Sequence, residues 1–371
     1  MYFEDQRRDL DALAERARAR SLSPRAGRDF ASNDYLALAG DPALAAAVRD
    51  AIASGVPIGS GGSRLLRGNH PAHEALEANA ARFFGAESAL YFSTGYAANA
   101  ALLATLPQRG DLIVHDALIH ASVHEGMRLS RAEARMATHN DVSAFEDAIA
   151  AWRRAGGTGR AWIAVESLYS MDGDQAPLAD LAALADRHDA ILIVDEAHAT
   201  GVFGAQGRGL AAGLAGRANL ITLHTCGKAL GCEGALLCGP ALVRDFLVNR
   251  GRAFIFSTAP SPLMAAAVGA ALELIAAPER RQRLDALVAR AETLLAPAGV
   301  RPTGSQILPL VIGDDARTMA MAATLQERGF DVRGIRPPTV PAGTARLRIS
   351  LTLNVGEDDV AALAAALGEL A

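Results

Sequence analysis

The sequence predicts an α/β protein built on a mostly parallel, doubly wound sheet, followed by a smaller C-terminal α+β domain. Three observations carry that expectation. From about residue 74 to 240, short apolar runs alternate with alanine-rich amphipathic stretches, the pattern of strand–helix units. Several of those runs lack period-two alternation, as strands buried on both faces do. Towards the C-terminus the pattern changes to long helical stretches separated by isolated strands. With 371 residues, 50% hydrophobic and 21% charged, the chain is long enough for two or more domains around a sizeable core.

In chain order, residues 1 to about 22 read as a charged, alanine-rich helix broken by Pro24 and Gly27. "FASNDYLALAG" follows as an extended segment and turn. "DPALAAAVRDAIASG" has helical periodicity, with Asp41 as N-cap and Pro42 in the first helical position. The strand candidates are "SALYFS", "DLIVHD", "AWIAVES", "AILIVDEA", "ANLITLH" and "GALLCG". Beyond "STAPSPLMAAAVGAALELI" come a long helix, "PERRQRLDALVARAETLLAPAG", then "SQILPLVIG", the helix "ARTMAMAATLQERG", "TARLRISLT" and the terminal helix "EDDVAALAAALGEL". The expected divisions are an N-terminal arm over 1–40, a large domain over 41–262 and a small domain over 263–371.

A formal net charge of −5 without a basic cluster argues against a nucleic-acid partner. The opening twenty residues lack the apolar core of a signal peptide, and the longest apolar stretch is short of a membrane span and carries Glu273. No membrane partner is expected, and the expected location is cytoplasmic. Cys226, Cys232 and Cys238 lack CxxC spacing and clustered histidines, so they read as reduced and structural, with no metal site.

"DEAH" at Asp195–His198 and the "GK" at Gly227 and Lys228 invite a nucleotide-triphosphatase reading, which fails on spacing. A phosphate loop needs GxxxxGK[ST], but Thr222 stands at the first glycine and Ala229 at the hydroxyl position. Asp195 instead ends the apolar run "AILIVD", where a carboxylate is costly unless it caps a helix or meets a cation. One such cation is a protonated pyridine nitrogen. Lys228 lies past another strand, among glycines and small residues. A lysine there is either a snorkelling surface charge or an amine able to condense with an aldehyde. "YFSTGYAANAALLATL" reads as strand, glycine turn and helix, so Gly95, Tyr96 and Ala97 would offer backbone N–H groups to an anion. The loop "IGSGGSRLLRGNH" holds more glycine than a turn needs, a flexible hinge being the bland alternative. His120 follows "DLIVHD" and is either a solvated histidine or a ring for stacking.

Taken in order from about residue 30 to the end, "SNDYLALAG", "GSGGSRLLRGNHPAHEALE", "STGYAAN", "HDALIHAS", "SLYSMDGDQAPLADL", "VDEAHATGVFGAQGRG", "HTCGKALG" and "RPPTVPAGTARLRISLT" resemble the α-oxoamine synthase family of pyridoxal-phosphate enzymes. The resemblance implies the aspartate-aminotransferase-type fold (fold type I), pyridoxal 5′-phosphate as cofactor, and a homodimer whose active sites are shared, with the "GSGGS" region contributing across the interface. Within the family, "RPPTVPAGTARLRISL" is most similar to members that join L-alanine to a pimeloyl thioester, carried by coenzyme A or a carrier protein, in biotin synthesis. Glycine C-acetyltransferase and then 5-aminolevulinate synthase chemistry are the alternatives. An apolar Leu65 favours a long methylene chain over a short acyl group ending in a carboxylate. By the same resemblance Lys228 would bind the cofactor aldehyde covalently, Asp195 would face its pyridine nitrogen, and His120 would stack on the ring. Ser170 and His198 would lie on the 3-oxygen side. Gly95, Tyr96 and Thr225 would hold the cofactor, including its phosphate. Asn33 and Arg348 would hold the amino-acid carboxylate, and His120, Thr339 and Arg20 would contact substrate. Ala229, Leu230 and Cys232 depart from the family's pattern around the lysine.

Overall fold

The computed structural model describes residues 2–370. The chain divides into two compact units, one comprising Leu36–Tyr169 and Gln175–Arg281, the other the residues up to Tyr35, Ser170–Asp174 and those from Gln282 onward.

The larger unit holds a seven-stranded sheet: β1 (Ser88–Phe92), β2 (Leu112–Asp116), β3 (Glu133–Ala137), β4 (Ala161–Glu166), β5 (Ile191–Asp195), β6 (Leu220–Thr225) and β7 (Ala235–Gly239). Their spatial order is β1-β7-β6-β5-β4-β2-β3. Every pairing is parallel except those of β7, which runs antiparallel to both β1 and β6. The residues of β1, β2, β4 and β7 are buried throughout, which is why their sequences are continuous apolar runs rather than alternating ones. On one face Phe92, Ile113 and Leu223 pack with Leu102, Leu103 and Val123. On the other, Val114, Ile163 and Val194 pack with Phe145, Ile149 and Leu181. The sheet is therefore covered on both sides, as a doubly wound fold requires.

All six strands expected in this region are present. The seventh, β3, escaped the sequence reading because it is an edge strand whose "EARMA" is mostly exposed, and Glu133 and Arg135 deny it an apolar run. The helix Pro42–Ala53 starts as expected, Asp41 Oδ1 accepting from Ala43 N at 2.8 Å.

A buried histidine sits at the end of β6. His224 stacks on Phe84 with ring centroids 3.6 Å apart, and its Nδ1 and Nε2 lie 2.8 and 2.9 Å from the hydroxyls of Thr200 and Thr222. The Thr200 hydroxyl donates to Glu196 O, so it accepts from His224 Nδ1–H. Complete burial pushes the His224 pKa down from 6.5 to about 3. A depressed histidine stabilises the fold fully above its unfolded pKa, and this stability is lost as pH falls through 6.5 towards 3. The loss is about 5 kcal/mol at most. Urea unfolding between pH 7 and 3 should therefore show an acid-side slope smaller by up to one proton in His224→Phe than in the parent.

In the smaller unit, β8 (Ile307–Gly313), β9 (Arg333–Ile335) and β10 (Ala345–Ser350) form an antiparallel sheet in the order β9-β10-β8. Helices Asp315–Glu327 and Glu357–Gly368 accompany it. The observed division differs from the expected boundaries at both ends. The arm belongs with the C-terminal unit, because Arg28–Asp29 pairs in parallel with Phe330–Asp331 and Ser350 N donates to Phe30 O. Its helix is shorter than expected, Glu4–Glu15, and Ala17 turns the chain with φ at +54°. Helix Pro262–Ala276 falls in the larger unit, where it packs on helices Pro42–Ala53 and Pro71–Phe84. Among the described residues, no single helix is long and apolar enough to cross a membrane.

Candidate active site

The register of the parallel strands sets Glu166, Asp195 and Leu223 side by side at the carboxyl ends of β4, β5 and β6. Ligands of doubly wound sheets collect beyond such ends. Here a recess of about 460 Å³, contained in the larger unit, is lined by Gly95, Tyr96, Asn99, His120, Asp195, His198, Thr225 and Lys228 among others.

Asp195 is 5% exposed, and its orientation is fixed. Oδ2 accepts from Asn99 Nδ2 at 2.8 Å and Oδ1 from Ala197 N at 2.9 Å. After β5 the chain turns, bringing His198 Nε2 within 2.7 Å of Lys228 Nζ. Lys228 stands in a loop closed on itself: Cys226 N donates to Gly234 O, Cys232 N to Cys226 O, and Gly231 N to Lys228 O. Of the 36 lysine and arginine residues in the chain, Lys228 is the only lysine. Gly231 has φ at +63°, and a Cβ there would lie 2.3 Å from Ala39 N. Gly231→Ala is expected to cost about 2–4 kcal/mol of stability, read as a lowered urea midpoint, because strain and a backbone clash coincide.

The residues around the lysine that depart from the family pattern are explained in part by packing. Ala229 and Leu230 are buried in the core, whereas Cys232 is only partly buried; beside them Cys226 is fully buried, and burial pushes its thiol well above its ordinary pKa. Among the described residues no cluster of His, Cys, Asp or Glu is arranged to hold a metal.

Helix Gly95–Thr105 opens on the recess. Thr94 Oγ1 accepts from Ala97 N at 3.0 Å and Thr94 O from Ala98 N at 3.1 Å, so the N–H groups of Gly95 and Tyr96 lie outside the helix's own ladder. A Cβ on Gly95 would stand 2.8 Å from Thr225 Oγ1, so the glycine keeps open the space between the helix start and β6. His120 caps helix Ala121–Leu129, its Nδ1 accepting from Ser122 N at 3.2 Å. The residue is exposed and lines the recess, but the surrounding protein still lowers its pKa below the ordinary histidine value. Lys228 acts in the same direction and Asp195 opposes.

The smaller unit holds a second group. Arg348 on β10 is 6% exposed; its Nε donates to Ser170 O at 2.6 Å and Nη2 to Asn33 Oδ1 at 3.1 Å. Among the described residues no carboxylate pairs with it. A buried guanidinium held only by neutral acceptors retains its affinity for an anion. Thr339 is exposed and donates its N–H to Arg336 O, and Arg20 is exposed near Arg336.

The sequence reading missed Asn99, Ser122 and Glu166 in the recess and Tyr35 beside Arg348, whose Nη2 approaches the phenol oxygen at 3.4 Å. Asn99 had a usable signal: it is an amide in an alanine-rich helix, four residues and so about one turn beyond Gly95.

Residues 27–367 match the family model for aminotransferase class I and II. The chain belongs to that aminotransferase family. Over 98% of its length this family member is 45% identical to an 8-amino-7-oxononanoate synthase of Anaeromyxobacter dehalogenans, covering 95% of that protein. Among solved structures it is similar to serine palmitoyltransferase from S. paucimobilis with a bound pyridoxal phosphate–myriocin adduct, with TM-score 0.89, 26% identity and coverage of 99% and 97% of the two chains. It is also similar to 8-amino-7-oxononanoate synthase from Francisella tularensis, with TM-score 0.78, 27% identity and coverage of 92% and 97%. The cofactor of this aminotransferase-family chain is pyridoxal 5′-phosphate, and the recess fits it. A carboxylate suits the pyridine nitrogen, an amine suits the aldehyde, and the space beside Gly95, with unspent N–H groups and Thr225, suits the phosphate.

Proposed function

We propose that this chain condenses L-alanine with a pimeloyl thioester, releasing CO2 and the free thiol, to give 8-amino-7-oxononanoate for biotin synthesis. It is an acyltransferase, and the nearly full-length likeness to 8-amino-7-oxononanoate synthases supports this reading. The observation that carries the chemistry is the pairing of Lys228 Nζ with His198 Nε2 in the same recess as Asp195.

Bound pyridoxal phosphate supplies an electron sink for the carbanion formed at alanine Cα. Lys228 Nζ takes the proton from that carbon and returns one to the product. Asp195 holds the proton on the cofactor's pyridine nitrogen. His198 hydrogen-bonds the 3-oxygen, with Ser170 on the same side. His120 covers the ring and donates to the thioester oxygen as charge builds there. Gly95, Tyr96 and Thr225 bind the phosphate. Arg348 and Asn33 orient the alanine carboxylate, while Thr339 and Arg20 contact substrate and Leu65 lies along the methylene chain.

The deciding experiment is a substrate panel reading thiol release, with alanine or glycine against pimeloyl-CoA, pimeloyl-carrier protein, acetyl-CoA and succinyl-CoA. Alanine with a pimeloyl donor is expected to exceed every other class of pair in kcat/KM by about 10-fold or more. A faster rate for glycine with acetyl-CoA would reassign the chain to glycine C-acetyltransferase, and the two pimeloyl donors compared directly identify the carrier.

A cytoplasmic homodimer completes the proposal. Its support is the glycine loop: Ile58, Leu65 and Leu66 stand exposed on it, apolar surface that a second copy would cover. Light scattering is expected to give twice the 38.6 kDa chain mass.

A further inference from the structure

We propose that Asn99 and Ser122 form a positioning relay, in which one buried amide orients Asp195 and, through the serine hydroxyl, fixes which nitrogen of His120 carries its proton. The inference rests on pyridoxal phosphate binding in the recess.

Asn99 is 1% exposed and Ser122 is fully buried, on two helices that pack against each other. Asn99 Nδ2 donates to Asp195 Oδ2 at 2.8 Å and to Ser122 Oγ at 3.0 Å. Ser122 Oγ lies 2.8 Å from His120 Nδ1, and Ser122 N reaches the same nitrogen at 3.2 Å.

The direction of each bond follows from what the groups are able to do. A backbone N–H only donates, so His120 Nδ1 is an acceptor and the proton of the neutral ring is on Nε2; the Ser122 hydroxyl, at 2.8 Å against 3.2 Å for the N–H, is the closer partner of that nitrogen. Ser122 Oγ accepts from the amide, which leaves its own hydrogen for Nδ1. Both amide protons of Asn99 are thereby used. Flipping that amide would point an oxygen at the Asp195 carboxylate and break both bonds, so its orientation is set by the charge it faces. The lowered pKa of His120 agrees with a neutral ring.

Asn99 Oδ1 is buried with no partner among the described residues. A buried acceptor without a donor costs stability, and an alanine-rich helix could have filled that position with an apolar side chain. Retaining the amide makes sense if its two donated bonds matter to the recess. Asp195 then keeps one orientation for the cofactor's ring nitrogen, and His120 presents Nε2–H as a donor. The titratable groups around Asp195 are Lys228, His198, His120 and Glu166 in the recess and Glu196 next in sequence.

The test uses purified holoenzyme and reads cofactor affinity by absorbance from pH 6 to 9, together with the imidazole nitrogen shifts of histidine-labelled protein. Asn99→Ala is expected to weaken pyridoxal phosphate binding about 10-fold or more. In Asn99→Asp the introduced carboxyl can donate to Asp195 only while protonated, so affinity should fall by a further 10-fold or more as pH rises and it ionises. A residue that only fills space would give no such pH dependence. Ser122→Ala is expected to move the His120 nitrogen shifts away from the Nε2–H form, and Ser122→Thr, which keeps the hydroxyl, to restore them. Should Asn99→Ala fail to fold, the isosteric Asn99→Asp and the small Ser122 changes carry the test. Cofactor affinity within twofold of the parent in Asn99→Asp at every pH, or unmoved His120 shifts in Ser122→Ala, would overturn the relay. A parent chain that does not bind pyridoxal phosphate would overturn the cofactor reading instead.

Discussion

Lys228→Ala is expected to lower turnover by at least about 10³-fold, the scale of removing a positioned base together with the covalent anchor of the cofactor. The composition makes this test unusually clean. Every basic side chain except Lys228 is an arginine or histidine, and a guanidinium does not condense with an aldehyde under these conditions. Borohydride reduction of the holoenzyme should therefore fix the cofactor on one tryptic peptide, the one containing Lys228, and Lys228→Ala should lose that adduct. A variant retaining more than a tenth of the parent rate would remove Lys228 from the role of base. Lys228→Arg keeps a cation near His198 but supplies no amine, and it should be as inactive as the alanine variant. If instead Lys228→Arg were active, the lysine would be acting only through its charge.

Much of this site was legible because its residues end strands. A carboxylate after four apolar residues, as in "ILIVD", has few inexpensive explanations, and Asp195 does close β5. Thr225 closes β6 in the same way, three residues before the lysine. The helix start at Gly95 was readable from its glycine turn. The partner of Asp195 was not, because Asn99 is 96 residues away in sequence and on the far side of three strands' worth of chain, so only the folded register brings them together. Ser122 is hidden for the same reason.

Topology was legible where burial wrote it into the residues and illegible where exposure did not. β4 and β7 announced themselves as apolar runs, whereas β3 pairs with β2 through its backbone and shows solvent mostly polar or small side chains. The domain boundaries failed in a comparable way. Arg28 pairs with Phe330, a contact over 300 residues that no local pattern encodes. Ser170 was expected beside the cofactor from the family resemblance; its carbonyl accepts from Arg348 in the smaller unit.

Asp195→Asn is the second large effect expected, and it should separate stability from chemistry. Both Asp195 oxygens accept N–H bonds, one from Asn99 and one from Ala197. An asparagine offers one oxygen and one NH2, so one of those donors would face another donor whichever way the amide turns. That mismatch is expected to cost about 1–3 kcal/mol of stability, read by urea unfolding. Turnover should fall further, by about 10²–10⁴-fold, because a neutral amide no longer favours a proton on the cofactor's ring nitrogen. The two losses have different remedies. Pyridoxal phosphate methylated at the ring nitrogen carries the positive charge without a proton, so loading it should recover part of the lost turnover in Asp195→Ala while leaving the unfolding midpoint of the apo form unchanged. Asp195→Glu keeps the charge but is longer by one methylene, and it should retain more activity than Asp195→Asn at similar stability. If methylated cofactor gave no recovery in Asp195→Ala while still binding, the carboxylate would be serving as a hydrogen-bond hub for Asn99 and Ala197 rather than as the counter-charge of the ring.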